Sequence, residues 1–109
     1  MAVEMPLQVV AVAGAEVVQF PWIEATAAVA AVNSAVAALA AQREARASMA
    51  GGLSEWAGGY RAEFDGAFGD VTAVASGLEE TLAVRVGAIV DGAEAANEAQ
   101  TRANSAVEA

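Results

Sequence analysis

Gly51-Gly52-Leu53-Ser54-Glu55-Trp56-Ala57-Gly58-Gly59-Tyr60 lies near the middle of a 109-residue chain and separates two long stretches with helical periodicity. Glycine enters left-handed backbone conformations without steric cost, so paired glycines mark the place where a chain reverses. Trp56, beside that reversal, is a large apolar anchor at the end of a helix pair. The stretch therefore predicts helix, sharp turn, helix: an all-α, antiparallel helical hairpin with a central Trp-x-Gly turn at 51–58.

On the N-terminal side the predicted helix covers 21–50. Pro21 suits a first helical position because its missing N–H would have no intrahelical acceptor there. Trp22, Val29, Val32, Val36 and Leu39 then recur at heptad-like spacing. Arg43 and Arg46 fall near the helix end, where positive charge complements the dipole.

The second predicted helix covers 59–100. Its stripe of Tyr60, Phe64, Phe68, Val71, Ala75, Leu78, Leu82, Val86, Ile89 and Ala93 keeps intervals of three or four. Glu63, Asp65 and Asp70 fall in its early turns, where acids favour a helix start. Gly66, Gly69, Gly77, Gly87 and Gly92 each cost roughly 1 kcal/mol relative to alanine inside a helix, which points to close approach of a facing helix or to bends. Residues 101–109 lack large apolar groups and are predicted to fray.

Residues 1–20 form an N-terminal extension with two readings. Leu7-Gln8-Val9-Val10-Ala11-Val12 is rich in β-branched residues, and Gly14 interrupts it. Val9, Val12, Ala13, Val17 and Phe20 also fit a helical stripe, and a short or irregular helix packed back on the hairpin is the favoured reading.

Composition limits what such a chain does. Hydrophobic residues make up 57% of it, but about half of these are alanine, which forms helix readily and buries little area. Helix is easy for this chain and a self-sufficient core is not. The expected intramolecular seam sets Val29, Val32, Val36 and Leu39 against Phe68, Val71, Leu78 and Leu82. The remaining apolar flank calls for a partner, and two paired hairpins give a four-helix bundle with crossing angles near 20°.

Fourteen acids against five arginines leave a net charge of −9 with no lysine, which argues against nucleic acid and anionic lipid as partners. The chain has neither cysteine nor histidine. Nucleophilic triads, thiolate chemistry and ordinary zinc sites therefore lose their usual groups. Glu79-Glu80 and Glu63 with Asp65 read as solvated helix surface, and the paired glycines lack the lysine of a phosphate-binding loop. The reading is a non-enzyme without metal or cofactor.

No stretch makes a convincing membrane span: Ala25 to Gln42 is free of charge but carries Thr26, Asn33, Ser34 and Gln42. The start is a poor secretory signal, with Glu4 where a basic region belongs and Glu16 breaking the apolar run Val9 to Val18.

A chain of this length with two helices around Trp56-Ala57-Gly58, Tyr60 and Phe64 resembles the WXG, ESAT-like family of type VII secretion substrates of actinobacteria. The similarity runs over roughly 21–97 and rests on Trp, Gly two residues on, an aromatic at four and Phe at eight. The resemblance implies a dimer subunit, exported without a signal peptide to the medium or cell surface, whose Trp-x-Gly tip is read by a partner or the secretion machinery. The family and the related PE proteins carry a C-terminal export signal of Tyr, three residues, then Asp or Glu. Its counterpart here is Val90 to Glu94, with valine in place of tyrosine, and in the family one partner of a heterodimer can supply the signal. The residues leave open a homodimer or a heterodimer with another small hairpin. They also leave open a cytoplasmic helical adaptor or scaffold with a coincidental Trp-x-Gly, and an acidic mimic that occupies a basic surface.

Overall fold

The structure is a computed structural model that describes residues 2–52 and 61–108. It holds two long helices, α1 (Trp22–Gly52, 31 residues) and α2 (Arg61–Glu108, 48 residues), and no strand among the described residues. This is the all-helical, two-helix architecture the sequence calls for, consistent with a helical hairpin. The turn residues Trp56, Gly58 and Tyr60 lie outside the described residues.

Two boundaries differ from expectation. Gly51 and Gly52 belong to the last turn of α1 rather than to the reversal. That leaves Arg46 away from the helix end, and the last turn carries no basic residue. At the other end, 101–108 continues as helix to Glu108 instead of fraying.

The chain divides into two compact units, one of Met1–Asn33 with Val84–Ala109 and one of Ser34–Ala83. In the first unit the apolar core is small: Ala25 and Val29 of α1 with Val86 and Ala93 of α2. The entry to α1 is built around Pro21. Phe20 C=O accepts the Trp22 N–H at 2.8 Å and Pro21 C=O accepts the Ala25 N–H at 2.9 Å, a tight reversal that the fixed φ of proline favours. Phe20 meets Trp22 edge-on with ring centroids 5.0 Å apart. It also lies over Gly92, where a Cβ would come within 3.3 Å of the ring. The close approach expected of a glycine thus occurs here, toward an aromatic ring and not a helix.

Residues 2–20 are not helical. They run extended, reverse at Val12-Ala13-Gly14-Ala15 and return to Phe20. The Ala15 N–H donates to Val12 C=O at 3.0 Å, and Gly14 takes φ +85°, a value suited to the third position of a type II turn. The β-branched residues favour extension, and the structure supplies main-chain partners that a strand in isolation lacks. They come from side chains: Asn33 of α1 and Asn97, Gln100 and Asn104 of α2.

In the second unit the segments of α1 and α2 run antiparallel: Arg43 pairs with Glu79, while Met49, six residues on, lines a groove with Phe68 and Val71. Ala75 is its buried apolar residue. Gly66, Gly69 and Gly77 have no atom within 4 Å of where a Cβ would sit, and neither does Gly87 in the first unit. The close helix approach expected of these four is absent among the described residues.

α1 contains an 18-residue window of mean hydropathy 1.6, and is long and apolar enough to cross a membrane by length and composition. Much of that hydropathy is alanine. The helix also carries Asn33, engaged to the main chain of Val3, and Arg43, paired with Glu79.

Candidate interaction site

Of the residues expected to form the helix–helix seam, Val29 is buried, and Val32, Val36, Leu39, Phe68 and Leu82 are half-buried. Val71 and Leu78 depart from the expectation. They remain 50% and 46% exposed and stand on an open flank of this unit.

That flank carries two adjoining grooves. One, of about 240 Å³, is lined by Arg46, Met49, Phe64, Ala67, Phe68 and Val71. The other, of about 350 Å³, runs from Leu39 and Gln42 past Arg46 and Asp70 to Val71, Val74, Ala75 and Leu78. Phe64 and Phe68, one helical turn apart, stack with centroids 6.0 Å apart, so the predicted Phe64 stands on this surface. Met49 and Val74 are exposed as well. The result is a continuous apolar strip along one side of the unit.

Arg46 sits where the two grooves join. Its Nε and Nη2 are buried and have no hydrogen-bond partner among the described residues. A buried donor without an acceptor is costly, and native structures rarely keep one unless something outside the chain supplies the acceptor. Its neighbour along the helix is different: Arg43 hydrogen-bonds and pairs with Glu79, which raises its guanidinium pKa further above the ordinary value. The second carboxylate oxygen of Glu79 is buried and unpartnered.

Among the described residues no group of three or more metal-ligating side chains comes together. Glu63 is exposed, and Asp65 forms an (i, i+4) ion pair with Arg61 at 3.1 Å. In the first unit, Val90 is half-buried and Glu94 is exposed, flanking the Gly92 that Phe20 covers.

The polar row in that unit escaped the sequence reading. Asn97, Gln100 and Asn104 continue the apolar stripe of Val86, Ile89 and Ala93 at the same intervals of three and four. Carboxamides in register with a buried stripe were the available signal. Gln100 is buried with 4% of its surface exposed, the one buried polar residue among those described.

Comparison with family models, with curated proteins and with solved structures finds no match to this chain.

Proposed function

We propose that this chain is a non-enzymatic helical-hairpin protein of the type VII secretion kind, working as one subunit of a helix–helix assembly that is exported or assists export. The supporting observation is the apolar strip of Met49, Phe68, Val71, Val74 and Leu78 with the unpartnered Arg46 guanidinium set into it. In a chain with net charge −9, no acid lines the first groove and one, Asp70, lines the second. A surface that sets Met49, Phe64, Phe68 and aliphatic side chains around a single arginine, with one acid at its edge, has the composition of an interface core. A partner helix that lies along the strip converts the hairpin into a four-helix arrangement, and the partner is either a second copy or another small hairpin. In this reading Trp56 and Gly58 shape the tip that the partner or the secretion machinery recognises.

Sedimentation of the purified chain, alone and mixed with the product of an adjoining small helical gene, tests the assembly. A dimer at micromolar concentration is expected, and a well-folded monomer under both conditions would refute it. Export is tested by comparing culture filtrate with lysate. Trp56→Ala is expected to keep helicity and lose partner binding or export. Retention of the chain in the lysate, together with a stable dimer, would favour the second reading, a cytoplasmic helical adaptor.

A further inference from the structure

An extended chain that belongs to no sheet must still satisfy its peptide groups. Residues 3–18 do so through four carboxamides, each acting in both directions. Asn97 Oδ1 accepts the Val9 N–H at 2.8 Å while its Nδ2 donates to Leu7 C=O at 2.8 Å. Asn104 takes the Val12 N–H at 3.1 Å and donates to Val10 C=O at 3.0 Å. Gln100 takes the Val18 N–H at 2.9 Å and donates to Glu16 C=O at 2.9 Å. Asn33 takes the Val3 N–H at 3.0 Å and donates to Val3 C=O at 2.7 Å.

In three of the four the accepted N–H lies two residues after the donated-to C=O. In an extended chain these two groups point to the same edge, which is what a neighbouring β-strand residue would engage. A carboxamide carries the same acceptor and donor as a peptide group, so each Asn or Gln replaces one rung of a missing strand. Within the filled site Gln100 is buried, and its Nε2 also donates to Asn104 Oδ1 at 3.1 Å, which ties two members of the row to each other. The bound segment meanwhile turns large side chains outward, with Leu7, Val10 and Val17 exposed at 93%, 75% and 60%.

We propose that Asn33, Asn97, Gln100 and Asn104 form a binding site for the main chain of an extended polypeptide. Residues 3–18 fill this site in cis, and an unlatched chain accepts the same segment from a second copy in trans. Recognition is carried by peptide groups and tolerates the identity of the outward side chains. The site shares no residue with the apolar strip and does not depend on any role in secretion.

The test uses the full chain with Val9→Pro and Val12→Pro, which removes the two N–H groups given to Asn97 and Asn104 and keeps extended backbone. A labelled peptide of residues 2–20 is then titrated by fluorescence anisotropy. The unlatched chain is expected to bind it at least about tenfold more tightly than the natural chain, whose site is already filled. Serine at positions 7, 10 and 17 of the peptide should change affinity by less than about threefold, whereas proline at 9 and 12 should abolish it, since main-chain bonds supply the affinity. No binding by a folded unlatched chain, or a serine peptide as weak as the proline peptide, overturns the proposal.

Asn97→Asp gives an independent readout should the proline variant not fold. Its carboxylate still accepts from Val9 but no longer donates to Leu7. Amide protection at Val9 and Val12 should fall at neutral pH and return as the carboxyl gains its proton, near pH 4. Protection unchanged at neutral pH overturns the proposal equally.

Discussion

The carboxamide of Asn97 holds the peptide N–H of Val9 across 88 positions of sequence, at 2.8 Å. The same side chain returns a hydrogen bond to Leu7 one peptide unit earlier. One side chain near the C-terminal end of α2 thus sets the register of a segment near the start of the chain. Both groups of the carboxamide are used, so neither aspartate nor leucine, though similar in size, is a silent replacement.

Asn104→Ala should therefore loosen the N-terminal segment without unfolding the helices. Three hydrogen bonds worth about 0.5–1.5 kcal/mol each are removed, two to the segment and one from Gln100. Hydrogen exchange should show lost protection at Val12 with the amides of α1 and central α2 unchanged. Global unfolding of this variant would mean that the segment is integral to the fold rather than latched onto it.

Gly14→Ala should weaken the same segment through the backbone alone. A Cβ there would lie 3.7 Å from Val107 Cγ1, an ordinary contact, but φ is +85°. Holding alanine in that region costs about 1–2 kcal/mol, so a measurable fall in the protection of Val18 and Val12 is expected, with helicity by circular dichroism unchanged.

Glycines in α2 should separate by position. Gly77→Ala gains helix propensity, about 1 kcal/mol, and meets no neighbour. Gly92→Ala brings a methyl to 3.3 Å from the Phe20 ring, which offsets that gain. Thermal melts should show Gly77→Ala raising Tm clearly more than Gly92→Ala. Equal shifts would mean that Phe20 yields without cost.

Arg46→Met should distinguish an unsatisfied group from an interface group. Removing buried donors that lack acceptors is neutral or stabilising for the isolated chain. If a partner supplies a carboxylate to those donors, the same change weakens assembly by about tenfold or more. Melting of the dilute chain and sedimentation of the concentrated chain read the two effects separately. Val71→Glu, which places a charge in the strip, should abolish assembly with little effect on the melt, because Val71 is half exposed.

The sequence by itself determined the two helices, and the reason is local. Alanine-rich stretches with apolar residues every three or four positions form helix whatever surrounds them, so Val29, Ala75, Val86 and Ala93 were legible as inward-facing. Pro21 was legible as the start of α1 for the same reason, since its effect lies within its own residue. Only the tertiary structure decided the fate of residues 2–20, whose composition suits strand and helix alike. Their conformation depends on partners for the peptide groups, and those partners stand up to 94 positions away, on Asn104. It also decided which stripe residues stay uncovered: Val71 and Leu78 have the same period as Val86, and period alone carries no information about how far a facing helix reaches.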